Sequence, residues 1–141
     1  MIVRLNESIV EFPPYQMALK QPDGLLAIGA KLSPEWLIAA YKKGIFPWFN
    51  DDDDEILWWC PSERAVLVPG EMKVSKSLNK TLRSEKFEIK ADYNFNEIIN
   101  LCASSRNLHD TWITKNMIEA YCKLHELGIS HSIGVYEEDK L

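Results

Sequence analysis

The chain has 141 residues, of which 46% are hydrophobic and 26% charged, and a net charge of −5. That length and balance suit one domain, or a small domain with part of another, with enough apolar side chains for a core. The acidic balance argues against a protein that coats nucleic acid non-specifically, because that mode needs many cationic phosphate contacts; a local basic patch is still allowed.

Five Trp, five Tyr and five Phe are a generous aromatic supply, suited equally to core filling and to platforms for nucleotide bases. Cys60, Cys102 and Cys122 are never spaced as CxxC, so neither a disulfide framework nor a four-ligand zinc site is expected, and reduced thiols fit a cytoplasm. The start, MIVRLNESIVEF, carries Glu7 and Glu11 in a short apolar pattern and lacks the long uninterrupted core of a signal peptide or membrane span.

Residues 12–35 are interrupted by Pro13, Pro14, Pro22, Gly24, Gly29 and Pro34, which predicts an irregular lead-in. Within it, Gly24-Leu-Leu-Ala-Ile-Gly29 has the glycine spacing of a phosphate loop. Ala30-Lys31-Leu32 follows, however, in place of a lysine and a hydroxyl residue, so a packing turn is the better reading. Ser33 and Pro34 then start a helix with Trp36, Leu37, Ala40 and Tyr41 at helical spacing, ending at Gly44.

The next stretch packs aromatics around the acidic run Asp51 to Glu55, which lacks the spaced ligands and glycine of a calcium loop and reads as solvated. A boundary is expected near Pro61, and AVLV at 65–68 reads as a short buried strand. Ser75 begins a basic amphipathic helix, FEIKAD reads as a strand with Phe87 and Ile89 facing one way, and Asn94 caps a helix through Ala103. Thr114 caps another, with Met117, Ile118, Tyr121, Leu124 and Leu127 on one face before Gly128. The closing HSIGVYEEDKL reads as a strand and turn without a returning arm. Such a strand would leave its ladder unpaired, and the expectation is of a truncated domain.

Candidate chemistry is sparse. Cys122 and His125 lie three apart on a helix, but two ligands make a weak metal site and core cysteine is the better reading. None of His109, His125 and His131 comes with a nucleophile motif, so hydrolase chemistry has no support. Trp48, Trp58, Trp59 and Trp112 stand beside proline, aspartate or threonine in irregular segments. Binding is the reading for Trp48 and Trp112; for Trp58 and Trp59, closing an aromatic core is an equal alternative.

The segments PDGLLAIGAKLSPEWLIAAYKKGIFPWF, ILWWCPSERAVL, KVSKSL, TWI, AYCKLHELG and HSI, in that order, resemble the leucyl/phenylalanyl-tRNA-protein transferase family along nearly the whole chain. The resemblance implies an α+β protein: a small irregular N-terminal α/β domain, residues 1–61, then the first part of a GNAT-like acyltransferase domain, residues 62–141. It implies an enzyme that moves Leu or Phe from Leu-tRNA or Phe-tRNA to proteins beginning with Arg or Lys. In the family this marks them for degradation in the bacterial cytoplasm; no cofactor, metal or membrane is implied, and a monomer is expected.

Trp48 and Trp112 match a clamp on the terminal adenosine. Lys73, Lys76, Lys80, Arg83 and Lys86 resemble a tRNA-binding surface. The polar catalytic residues are expected after Leu141, leaving Tyr41 and Tyr121 as hydrogen-bonding candidates, both also readable as core tyrosines. The alternatives are a non-catalytic fragment that only binds the aminoacyl-tRNA end, and an acyl-CoA-dependent acetyltransferase, for which no pyrophosphate-binding glycine loop is found. Departures from the pattern are Ala30-Lys31 in place of glycine and aspartate, Cys60 in place of serine and Gly134 in place of glutamate.

Overall fold

The computed structural model describes residues 1–104 and 111–141; His109 lies outside them. Among the described residues the chain is α+β. The first part builds a mixed sheet from β1 (Val3–Arg4), β2 (Leu25–Ile28), β3 (Phe46–Pro47) and β4 (Leu57–Trp59), in the order β1-β2-β4-β3. β1 runs parallel to β2, and β4 is antiparallel to both its neighbours. Helix α1 (Pro34–Lys42) connects β2 to β3. The second part comprises α2 (Lys76–Arg83), β5 (Glu88–Ala91), α3 (Phe95–Ser104), α4 (Lys115–Glu126) and β6 (Ile133–Tyr136), with β5 and β6 antiparallel and Ile89 opposite Val135.

Helix boundaries follow local chemistry. Ser33 is extended, Pro34 occupies the first helical position, and Glu35 lies in the first turn, where a negative charge favours the dipole. At the other end, Gly44 at φ +70° lets its N–H reach Tyr41 O (3.0 Å) and that of Ile45 reach Ala40 O (2.9 Å), a Schellman closure. Ser75 and Thr114 accept hydrogen bonds from Leu78 N (3.1 Å) and Met117 N (3.3 Å), and Asn94 accepts from Glu97 N at 3.3 Å. Gly128 ends α4 by the same closure as Gly44, donating to His125 O (2.8 Å).

The core joins Phe12, Leu26, Leu37 and Ile45 around two fully buried indoles, Trp36 and Trp58. Phe12 meets both edge-on, with centroids 5.2 and 5.0 Å away, and Trp58 donates its Nε1–H to Gly29 O at 2.8 Å. Ala120 and Leu124 of α4 enter the same core. Asp52 of the acidic run accepts from Asn116 N at the start of α4 (3.2 Å). The segments before and after Pro61 therefore share one apolar interior.

Several elements differ from the sequence reading. LLAI inside the irregular lead-in is β2, the sheet's second strand, and Trp58-Trp59 lie on β4 rather than in a loop. AVLV is no strand: Val66 is 82% and Leu67 71% exposed, because a branched apolar run becomes a strand only where a sheet edge receives it. The terminal strand is not isolated, since β6 pairs along its length with β5. It then turns through Glu138 (φ +50°) and Asp139 (φ +61°), bringing Lys140 back against Glu137. Phe87 and Ile89 do face one way, towards solvent.

Candidate functional site

The crossing of α1 and α4 brings Tyr41 and Tyr121 together. Their hydroxyls are hydrogen-bonded, and the rings meet edge to face with centroids 6.3 Å apart. Loss of solvation raises both phenols above the usual tyrosine range, and for Tyr121 the neighbouring Tyr41 adds to the effect. Both therefore keep their protons near neutrality; one hydroxyl donates to the other, which leaves one O–H of the pair as a donor, and neither is a base.

Tyr121 lines two adjoining cavities. One, of about 450 Å³, is bounded by Ile38, Tyr41, Lys42 and Ile129. The other, of about 370 Å³, has Trp112, Phe95, Ile98 and Met117 on its walls. Ser130 and His131 border both. Two mainly apolar spaces that share Tyr121, Ser130 and His131 as a polar edge, the neck, suit a ligand with two apolar parts linked by a polar one.

The neck has its own scaffold. His131 Nδ1 lies 2.6 Å from Asp92 Oδ2, while Asp92 Oδ1 accepts from Ser132 N at 2.8 Å. The hydrogen bond to Asp92 holds His131 above the usual histidine range, and the same bond, helped by the Ser132 amide, holds Asp92 below the usual carboxylate range. Sequence reading passed over this pair, because its members are 39 residues apart and each stands in a turn without a motif. His125 donates through Nδ1 to Ser130 O (2.8 Å) and stacks on Phe95 at 4.3 Å. Burial raises the Cys122 thiol. Among the described residues no group of three or more His, Cys, Asp or Glu is placed to hold a metal ion.

Trp48 stands elsewhere. Its N–H donates to Leu57 O and its carbonyl accepts from Trp59 Nε1 (2.9 and 2.8 Å), a grip on both sides that presents the half-exposed indole. It lines a third cavity, of about 700 Å³, with Phe46, Trp59, Asp23 and Asp54. The structure thus brings Trp112, Tyr121 and Tyr41 together and leaves Trp48 on a different cavity. On α2 every residue is exposed. Lys73, Lys76, Lys80 and Arg83 have no carboxylate partner among the described residues, whereas Lys86 is paired with Glu137 at 2.9 Å. Among the described residues no helix is long and apolar enough to cross a membrane.

Comparison with known proteins bears on these cavities. Residues 66–141 match the family model described as leucyl/phenylalanyl-tRNA protein transferase, and residues 30–62 match the model of its N-terminal domain. The chain is similar to the leucyl/phenylalanyl-tRNA-protein transferases of Idiomarina loihiensis (48% identity), Hydrogenovibrio crunogenus (46%) and Nitrosospira multiformis (52%). These alignments cover 100, 97 and 92% of this chain and 60, 54 and 56% of the respective relatives, so the chain spans little more than half the length of the proteins it matches. The matched segments contain the Tyr pair, Trp48, Trp112 and the basic helix, and with two family models together covering most of its length the chain belongs to the leucyl/phenylalanyl-tRNA protein transferase family.

Proposed function

We propose that the protein is an aminoacyltransferase that moves Leu or Phe from aminoacyl-tRNA to the N-terminal Arg or Lys of acceptor proteins, in the cytoplasm and as a monomer, marking them for degradation. The observation that carries this reading is the pair of adjoining cavities with Trp112 on one wall and the Tyr41–Tyr121 pair at their junction. An aminoacyl-adenosine has the matching form, with a flat base and an apolar side chain joined through a polar ribose ester. Stacking on tryptophan contributes about 1–3 kcal/mol per base. Trp48 supplies the second stacking surface, and Lys73, Lys76, Lys80, Arg83 and Lys86 form the dock for the tRNA phosphates.

In this reaction the acceptor's neutral amine attacks the ester carbonyl, forming the amide C–N bond. The ester C–O bond breaks, the ribose oxygen leaves with a proton, and the amine gives up its surplus proton. Tyr41 and Tyr121 are both protonated and bonded to each other, so one O–H of the pair is left to donate at the neck, where ester and ribose oxygens would lie. No cofactor takes part. We place the domain boundary near Pro61, with residues 62–141 as the first part of a GNAT-like domain. The junction of the two family matches between residues 62 and 66 and the order β5-α3-α4-β6 support that division.

A second reading, binding of the aminoacyl-tRNA end without transfer, is favoured by the protonated state of Tyr41 and Tyr121, which offers the acceptor amine no base. Incubation with labelled Leu-tRNA and two peptides, one beginning with Arg and one with Met, separates the two. Leucine on the Arg peptide alone supports the transferase. Leucine on neither, while an amide-linked phenylalanyl-adenosine still binds and Trp112→Ala abolishes that binding, supports the second reading. Leucine on both peptides contradicts the proposed acceptor selectivity.

A further inference from the structure

His131 stands just before β6, between Ser130 and Ser132, with its imidazole 63% exposed. Among the described residues it is one of three that border both apolar cavities, the others being Tyr121 and Ser130. Aminoacyl transfer moves two protons across such an edge, one onto the departing ribose oxygen and one off the attacking nitrogen. Loss of solvation keeps the Tyr121 proton in place at neutral pH. Of the three side chains only the imidazole has an ordinary pKa between about pH 5 and 8.

The ring is already organised for that exchange. Asp92 Oδ2 lies 2.6 Å from Nδ1, and Asp92 is itself fixed by the Ser132 N–H at 2.8 Å. An ionised carboxylate only accepts, so Nδ1 carries the hydrogen of this bond and Nε2 is the nitrogen that gains or loses a proton. The titratable groups around it are Asp92 from the turn after β5 and His125 from α4, whose Nδ1 is 3.9 Å from Asp92 Oδ1. Lys42 and Tyr41 of α1 and Tyr121 of α4 border the same cavity. The bond to Asp92 dominates, the Gly128 carbonyl adds to it, and together they raise the His131 pKa above its ordinary value of 6.5. That shift brings the imidazole towards the α-amino range of about 7.7–8.0, where proton transfer between the two is close to balanced.

We propose that His131 is the proton carrier of aminoacyl transfer, with Asp92 as its positioning residue. The amine nitrogen attacks the ester carbonyl carbon and the C–N bond forms. As the ester C–O bond breaks, the imidazolium gives its Nε2 proton to the ribose oxygen, and the neutral imidazole then takes the surplus proton from the new amide nitrogen. The side chain loses one proton and gains one, so it ends as it began and no co-reactant enters. The remaining O–H of the Tyr41–Tyr121 pair donates to the carbonyl oxygen during the step. The proposal rests on the transferase reading and deepens it by giving the amine the base that the two phenols do not supply.

The test is single-turnover transfer from bound Leu-tRNA to a peptide beginning with Arg, followed from about pH 6 to 9, with affinity for amide-linked phenylalanyl-adenosine measured on each variant. His131→Gln is expected to lose at least about 100-fold in rate while its affinity stays within about twofold of wild type. In His131→Ala, free imidazole should restore part of the rate, because the position is open to solvent. Above the folded histidine pKa the imidazolium is lost and the rate falls. Asp92→Asn withdraws the charge that raises that pKa, so the alkaline decline should move to lower pH, which loss of a merely structural brace would not do. A His131→Gln rate within about threefold of wild type, a loss found entirely in affinity, or an alkaline limb unmoved in Asp92→Asn would overturn the proposal. No transfer by the wild type at any pH removes the transferase reading and this proposal with it. Transfer by the wild type that His131→Gln matches removes this proposal alone.

Discussion

Ala30 stands at φ +65°, in the left-handed region where an L side chain crowds the following carbonyl. Glycine adopts this conformation without that crowding. Relief of that strain, about 1–2 kcal/mol, outweighs the extra backbone entropy of glycine, about 0.5–1 kcal/mol. Ala30→Gly is expected to stabilise the fold by about 0.5 kcal/mol in a urea or thermal unfolding measurement. Gly24 poses the opposite case. Its φ is +89°, and an added Cβ would lie 2.5 Å from the Pro61 backbone, which cannot swing aside as a side-chain tip can. Gly24→Ala should cost more than about 2 kcal/mol by the same measurement. Gly134 faces the buried Tyr136 ring, which an added Cβ would meet at 2.6 Å. The glycine and the inward tyrosine are thus a matched pair.

At the scale of elements, the Asp92–His131 pair ties the turn after β5 to the start of β6. The folded state raises the histidine pKa, so its contribution is complete below the ordinary value near pH 6.5 and is lost as pH rises through the elevated folded value. Asp92 acts in mirror image: its folded pKa is depressed, and its contribution is lost as pH falls through that lowered value. Unfolding midpoints of the wild type should therefore decline from pH 6 to pH 8.5 more steeply than those of His131→Gln. Parallel curves would show that the pair contributes nothing to pH dependence. For α2, each of Lys76, Lys80 and Arg83 that contacts a phosphate should, when replaced by Gln, lower the slope of log affinity for tRNA against log salt by about one unit.

The helix starts were legible in the sequence because Ser33, Ser75, Asn94 and Thr114 act within one turn of themselves. β2 and the exposure of Val66 and Leu67 were not, since strand identity depends on a distant edge. Of the candidate site, Tyr41, Tyr121 and Trp112 were named from their residues and the family resemblance. The Asp92–His131 brace and the carboxylates beneath Trp48 required the chain path.

The whole molecule combines an acidic chain with one exposed basic helix and a core to which α4 contributes from beyond Pro61. Because Ala120 and Leu124 pack with Trp36 and Leu37, the Tyr41–Tyr121 contact is fixed by the same interior that holds the first sheet. The candidate site is therefore a property of the joined halves and not of either alone.

The most direct test of the central claim is a comparison of affinity for Leu-tRNA and for the same tRNA without its amino acid, in the wild type and in Trp112→Ala at fixed salt. The account predicts tighter binding of the aminoacylated form by the wild type, an advantage erased by Trp112→Ala, with the residual salt-dependent affinity of α2 retained. Equal affinity for charged and uncharged tRNA, unchanged by Trp112→Ala, would contradict it.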